Sequence, residues 1–190
     1  MVTLKLSLPW HRLGLIAVLA ERSPKGWIGR TNLMKLAYFL QTLRSVPLEY
    51  HFTLYSYGPY DTDVLDDLDS ASNLGIVQVE TKQYPNGNYG YEITPGPQAD
   101  RAKEAASEFL SKYRNDVDWV MALFGDLTVP QLELASTLIY VDREVFRSGK
   151  TLDMKTLVRR VRDVKPHFSE REILERAAFL HDKQLLKSVH

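Results

Sequence analysis

Five aspartates fall within nine residues of the chain, at positions 61, 63, 66, 67 and 69. Clustered carboxylates either bind a divalent cation or present negative charge to a basic partner. A calcium loop also needs a central glycine and a distal glutamate, which this stretch lacks. Helical spacing would also scatter the carboxylates around an exposed face. We therefore predict no metal site. Two interpretations stay open: a solvated helix with an acidic first turn, or an acidic docking surface that uses Asp63, Asp66 and Asp67.

Eight of the ten tyrosines fall between residues 38 and 91. Tyr57 and Tyr60 flank Gly58-Pro59, and a tight corner between a strand and a helix exposes such side chains. Tyrosine is effective in protein interfaces because it combines a large apolar ring with a hydroxyl. The corner formed by Tyr57, Gly58, Pro59 and Tyr60 is therefore a candidate partner-binding site, with a purely structural role as the alternative. Core or cross-strand packing is expected for three others: Tyr38, Tyr89 and Tyr91.

The five histidines of the chain form no recognisable catalytic or metal-binding set. No two of them have the spacing of a ligand pair, and the sequence has no Gly-x-Ser-x-Gly elbow and no glycine-rich phosphate loop. Because the chain has no cysteine, disulfides and thiolate metal sites are excluded. We predict a protein that is not an enzyme, with no catalytic residue, no cofactor and no metal.

The net charge is zero, but the charged residues are unevenly spread along the chain. Residues 50–149 carry sixteen acidic and seven basic groups, whereas the two ends are mildly basic. A sequence-independent nucleic-acid binder has a strong basic excess, which this chain lacks. Nucleic-acid contact through a local basic face stays open beside the simpler interpretation of a solvated surface. The candidate residues for such a contact are Arg30, Lys35, Arg44, Arg159, Arg160 and Arg162.

The elements that must position these groups follow from the hydrophobic periodicity. Residues 2–8 alternate like a strand, and apolar residues then recur at helical spacing. Asn86-Gly87 lies between two strand-like runs and predicts a hairpin. The predicted order is a helix at 8–21, a helix at 31–44, a strand at 50–57, a helix at 61–73 and a hairpin of 76–82 and 89–94. Ser7 and Asp61 are the expected caps of the first and third helices, and Gly58-Pro59 is expected to end the strand. Three helices followed by a two-stranded wing define a winged-helix-type module.

The third helix of a winged-helix DNA reader enters the major groove and needs basic or amide side chains toward the bases and phosphates. In this chain the corresponding helix has five aspartates and no basic residue between positions 61 and 69. Carboxylates facing phosphates are repelled. We therefore predict that this helix does not read DNA.

Helices are also expected for the rest of the chain. The predicted ranges are 97–113, 116–124, a helix from a capping box at Thr128 and Gln131 to Arg147, 151–164, and a helix to 183 after a capping box at Ser169. In the last helix Ile173, Leu174, Ala177 and Leu180 are expected to face inward. The predicted class is α+β and mostly α. Residues 1–95 would form the winged-helix-type module, and residues 96–190 a helical extension that packs on it, either as a separate part or within one domain.

No apolar run reaches the length of about 18 residues that a membrane span needs. The run 13–20 loosely resembles the core of a signal peptide, but it is too short to span and lacks a convincing cleavage site. We expect it to form a core helix. Because the chain has no membrane-length apolar run, we expect no membrane contact. The absence of cysteine suits a reducing compartment, so we expect a cytoplasmic protein.

Three stretches carry a family resemblance: "GRTNLMKLAYFLQ" at 29–41, "YSYGPYDTD" at 55–63 and "KPHFSEREILERAAFL" at 165–180. Together they resemble the YwgA-like proteins and the broader Panacea (SocA-like antitoxin) domain family. The resemblance implies an antitoxin or a protein adaptor, and it carries over no catalytic residue. We therefore expect a non-enzymatic interaction protein that binds a partner protein, with homodimer formation left open. The alternative is a winged-helix transcription regulator that contacts DNA through its basic helix faces.

Overall fold

The computed structural model describes residues 8–84 and 87–189. These residues form nine α-helices and two antiparallel two-stranded hairpins, so the predicted α+β, mostly α class is confirmed. The helices are α1 (Trp10–Glu21), α2 (Arg30–Arg44), α3 (Thr62–Asn73), α4 (Ala99–Ala105), α5 (Ser107–Lys112), α6 (Arg114–Phe124), α7 (Val129–Arg147), α8 (Met154–Val164) and α9 (Glu170–Asp182). The strands are β1 (Thr53–Tyr55), β2 (Gly58–Tyr60), β3 (Val77–Gln83) and β4 (Tyr89–Pro95).

The chain divides into two compact units, and neither unit is one continuous segment. The first contains the described residues up to Tyr50 together with Thr62–Asp126, and the second contains His51–Asp61 together with the chain from Leu127 onward. This grouping differs from the predicted division between residues 95 and 96. It arises because α4 packs on α1 and α6 packs on α2, whereas β2 packs on α7.

Helix α1 is the central element of the first unit. Every residue from Leu13 to Ala20 is buried, so the apolar run belongs to a core helix, as predicted. A Cβ at Gly14 would lie 2.5 Å from the Cβ of Ala106, so glycine permits the close approach of the segment that follows α4. In the described part of the chain, no helix combines the length and the apolar character that crossing a membrane requires.

Three helices followed by the β3–β4 hairpin occur in the first unit in the order that a winged-helix-type module predicts. The hairpin register pairs Thr81 with Tyr91 and Val79 with Ile93. Ile93 is buried, but Tyr91 is exposed and Tyr89 exposes 70% of its surface. Neither tyrosine is therefore a core residue, although Tyr91 lies opposite Thr81 in the hairpin and its ring contacts the guanidinium of Arg30. Tyr38 is buried, as predicted.

The single strand predicted at 50–57 is wrong. Strand β1 is short and pairs antiparallel with β2, with Tyr55 opposite Gly58 and Thr53 opposite Tyr60. Gly58-Pro59, which was expected to break the strand, begins the second strand instead. A proline is compatible with this position because each strand of a two-stranded hairpin has a free edge, where no ladder N–H is required.

Several predicted helix boundaries shift by a few residues. Helix α1 begins at Trp10, and α8 begins at Met154. Asp153 caps α8 by accepting a hydrogen bond from the N–H of Thr156 at 2.6 Å. The helix expected at 97–113 is interrupted at Ala106 and forms α4 and α5. Residues 2–7 of the predicted strand, including the Ser7 cap, and Asn86 of the hairpin turn lie outside the described residues, and Leu8 is not part of a strand.

Both capping boxes predicted for the second unit are present. Gln131 accepts the N–H of Thr128 at 2.9 Å before α7, and Glu172 accepts the N–H of Ser169 at 2.8 Å before α9. In α9, Leu174 was expected to face inward, but 47% of it is exposed. The reason is geometric, because a position next to buried Ile173 is rotated by about 100° around the helix.

The C-terminal segment is bound to α7 by one buried carboxylate. Asp142 is fully buried and accepts the N–H groups of Lys187 and Ser188 and the hydroxyl of Ser188, at 2.7–3.0 Å. Arg143 beside it donates to the carbonyl of Leu185 at 3.0 Å. The hydrogen bonds that these groups donate offset the cost of removing the carboxylate from water.

Candidate functional site

The β1–β2 hairpin, residues 53–60, presents two tyrosines to solvent and is called the tyrosine hairpin below. Tyr55 and Tyr57 are 67% and 69% exposed. Tyr60 is half-buried, and its ring centroid lies 5.8 Å from that of Tyr55. The sequence pattern indicates Tyr57 and Tyr60 but not Tyr55, whose place beside them follows from the pairing of β1 with β2.

A buried ion pair lies beneath the turn of this hairpin. Lys165 follows the end of α8 and is only 1% exposed. Its Nζ lies 2.7 Å from Oε1 of Glu133 in α7 and donates a second hydrogen bond to the carbonyl of Ser56. Because Ser56 is a turn residue, the lysine connects the turn backbone to a charge inside the second unit. The ion pair therefore fixes the backbone that carries Tyr55 and Tyr57.

The backbone conformation of Gly58 and its close contacts both disfavour a side chain at this position. Its φ of +88° lies in the left-handed region. An added Cβ would lie 3.0 Å from Oγ of Ser136 and 3.1 Å from Oγ1 of Thr137, both on α7. Both Gly58 and Pro59 are buried, which corrects their assignment as partner-binding residues. They pack against α7, whereas Tyr55 and Tyr57 form the exposed surface of the hairpin.

His167 stands at the edge of the same cluster. Its Nε2 lies 3.4 Å from Oε1 of Glu133, and its ring centroid is 4.4 Å from that of Phe168. The histidine itself is exposed and lies in the turn before α9, as its sequence context predicts.

Sequence reasoning missed Glu133 and Lys165, the two central residues of this cluster. One signal for Glu133 exists, since it is an acid within the apolar run "LELASTLI" at 132–139. A carboxylate in such a run must find a buried partner. Lys165 has no comparable signal, because it follows the charged residues that end α8.

Only two of the three aspartates predicted to form a docking surface on the acidic helix α3 are exposed. Asp63 and Asp66 are exposed, but Asp67 is 6% exposed and belongs to the first unit's interior. Asp67 accepts the hydroxyl of Tyr50 at 2.8 Å and pairs with Nε of Arg12 at 2.9 Å. Burial raises the pKa of Asp67, and the Tyr50 hydrogen bond and the Arg12 charge only partly oppose this effect. Asp67 is therefore a structural residue, which corrects the prediction.

The basic candidates on α2 are largely occupied by contacts within the first unit. Lys35 is 2% exposed and cannot reach a nucleic acid, which corrects its assignment. It lies on a helix turn that is buried throughout. The guanidinium of Arg30 stacks on the ring of Tyr91 at 3.6 Å, and that of Arg44 lies 2.7 Å from Asp116.

The basic candidates on α8 are exposed. Leu157, Val158 and Val161 form the buried face of this helix. The opposite surface carries Arg159, Arg160 and Arg162. Arg162 pairs with Glu170 at 3.0 Å, whereas Arg159 and Arg160 have no ion pair with any residue that the structure describes. This surface remains able to contact an anion.

Within residues 8–84 and 87–189, no three histidine or acidic side chains come together as a metal site. A comparison of the chain with protein-family models gives no match. A comparison with curated proteins gives no match either.

Proposed function

We propose that this protein is a non-enzymatic binding protein of the cytoplasm whose tyrosine hairpin contacts a partner protein. The antitoxin or adaptor role that the YwgA-like and Panacea resemblance implies is part of this proposal. The observation that carries it is a pair of exposed tyrosines, Tyr55 at the end of β1 and Tyr57 in the turn that follows, where Lys165 donates a hydrogen bond to the turn carbonyl of Ser56.

Two physical arguments support this use of the hairpin. Large aromatic side chains supply much of the binding energy in protein interfaces, and a central tyrosine contributes about 2 kcal/mol or more. A contact surface that is already rigid also loses less conformational entropy on binding. The ion pair of Lys165 and Glu133 and the close fit of Gly58 provide that rigidity.

Affinity capture with matched variants tests the proposal. The bait is the full chain, compared with the double variant Tyr55→Ala/Tyr57→Ala and with Tyr89→Ala, which removes an equally exposed tyrosine from the first unit. We expect wild type and Tyr89→Ala to retain the same specific protein, and the double variant to lose at least about 30-fold in affinity for it. Identical recovery by all three baits would refute the proposal.

The alternative function is DNA binding through α8, which the unpaired Arg159 and Arg160 favour. It predicts a gel shift with the DNA upstream of the protein's own gene, and a binding constant that falls steeply with salt. Arg159→Ala/Arg160→Ala should weaken the shift, whereas Arg162→Ala, whose guanidinium is already paired, should weaken it less. Absence of a shift at low salt would exclude this alternative.

A further inference from the structure

The second unit contains a groove of about 350 Å³ between the first turns of α7 and one face of α9. Its apolar lining includes Leu134, Phe168 and Phe179. Glu172, Glu175 and Arg176 line it as well. A volume of this size is near the lower end of the range for small-molecule sites, which extends from about 300 to 1,000 Å³.

The charged residues of the groove differ in whether they already have partners. Glu172 accepts the N–H and the hydroxyl of Ser169, and Glu175 accepts Nε of Arg171 at 2.7 Å. The guanidinium of Arg176 has no hydrogen bond or ion pair with any described residue. The guanidinium lies over the ring of Phe179, whose centroid is 5.5 Å away.

Arg176 is also half-buried, and burial lowers the pKa of its guanidinium. A partly desolvated cation without an acidic partner attracts an anion more strongly than a solvated one, because less water competes for it. The planar guanidinium matches a carboxylate with two parallel hydrogen bonds. Leu134, Phe168 and Phe179 are suited to the apolar remainder of such a ligand.

We propose that this groove binds a small amphipathic carboxylate, whose carboxyl group pairs with Arg176 and whose aliphatic or aromatic part packs on Leu134, Phe168 and Phe179. This inference goes beyond the proposed function, since the groove includes no residue of the tyrosine hairpin. The size of the groove favours a small molecule over a helix or an extended peptide.

Titration of the full chain with 4-phenylbutyrate, followed by NMR chemical shifts, tests the inference. The neutral amide, 4-phenylbutanamide, is the matched ligand. We expect saturable binding of the acid with a Kd below about 1 mM, and binding of the amide at least about tenfold weaker. Shifts should concentrate on the groove.

The matched variants are Arg176→Gln and Lys183→Gln, which removes one positive charge just after α9 and outside the groove. Arg176→Gln should weaken acid binding about tenfold or more, Arg176→Lys should weaken it less, and Lys183→Gln should bind like wild type. Three results would each overturn the inference: no saturable acid binding up to about 10 mM, equal binding of acid and amide, or unchanged binding by Arg176→Gln. None of these results bears on the tyrosine hairpin, so the two proposals fail separately.

Discussion

At the scale of single residues, the strongest constraint is the buried pair of Lys165 and Glu133. Removing one member leaves the other charge desolvated, which costs about 3–5 kcal/mol in buried pairs. We expect Lys165→Met to lower the free energy of unfolding by an amount in that range, measured by chemical denaturation. Lys165→Met/Glu133→Leu should lose less than Lys165→Met alone, because no uncompensated charge remains.

The exposed pair of Glu144 and Arg147, also on α7, is the control for this prediction. Glu144→Ala should change stability by less than about 1 kcal/mol, since exposed ion pairs contribute little. If Lys165→Met were as mild as Glu144→Ala, the buried pair would not fix the tyrosine hairpin, and the account of its rigidity would be wrong.

Asp67 yields a prediction about pH. Its folded-state pKa is raised, mainly by burial, so the folded protein holds this proton more tightly than the unfolded chain does. The contribution of Asp67 to stability therefore falls as the pH rises from its unfolded pKa through the raised folded pKa. The difference in unfolding free energy, wild type minus Asp67→Asn, should decrease across this window. An increase across the same window would show that the Arg12 and Tyr50 contacts outweigh burial.

Some of this residue-level detail could be predicted from the sequence. Val64, Leu68 and Ala71 mark the buried face of α3, and position 67 lies on the same face, three residues after Val64. The burial of Asp67 therefore follows from periodicity. Its partners do not, because Arg12 and Tyr50 come from distant parts of the chain and only the tertiary fold brings them to it.

At the scale of elements, Gly58 determines how the tyrosine hairpin sits on α7. Gly149 offers a matched comparison, since it also has a positive φ but nothing lies within 4 Å of an added Cβ. Both Gly→Ala variants carry the backbone strain, but only Gly58→Ala also crowds Ser136 and Thr137. We expect Gly58→Ala to cost about 1–3 kcal/mol more than Gly149→Ala, measured by denaturation. Equal costs would mean that the contact with α7 is not tight.

Element types were more predictable than element pairing. Apolar periodicity and capping boxes identified α7 and α9, because those signals are local in sequence. Residues 50–57 were predicted as one strand, because the turn of Ser56-Tyr57 carries no glycine or asparagine at its centre to mark a hairpin. The chain reversal depends instead on Gly58, Lys165 and the surface of α7, which local patterns do not contain.

At the scale of the whole molecule, the two compact units are built from interleaved segments. A fragment of residues 1–95 contains the predicted winged-helix-type module but lacks α4 and α6, which pack on α1 and α2. We expect this fragment to unfold without cooperativity, because the buried face of α1 around Gly14 would be exposed. Circular dichroism measures the unfolding transition. A fragment of residues 1–126 should unfold cooperatively. Cooperative unfolding of the shorter fragment would support the predicted domain boundary after residue 95.

Composition and periodicity predicted the class of the fold, because class depends on the balance of helix and strand signals along the chain. They could not predict that His51–Asp61 belongs with the chain after Leu127. That grouping depends on contacts such as Lys165 to Ser56, whose partners are separated by more than a hundred residues.

Site-specific photo-crosslinking in the producing cell shows whether the tyrosine hairpin contacts a partner protein. A benzophenone amino acid replaces Tyr57 in one experiment and Tyr89, the equally exposed tyrosine of β4, in the other. We expect position 57 to give one discrete crosslinked protein that position 89 does not give, and Lys165→Met to reduce its yield. No adduct at position 57, or the same adducts at both positions, would contradict it.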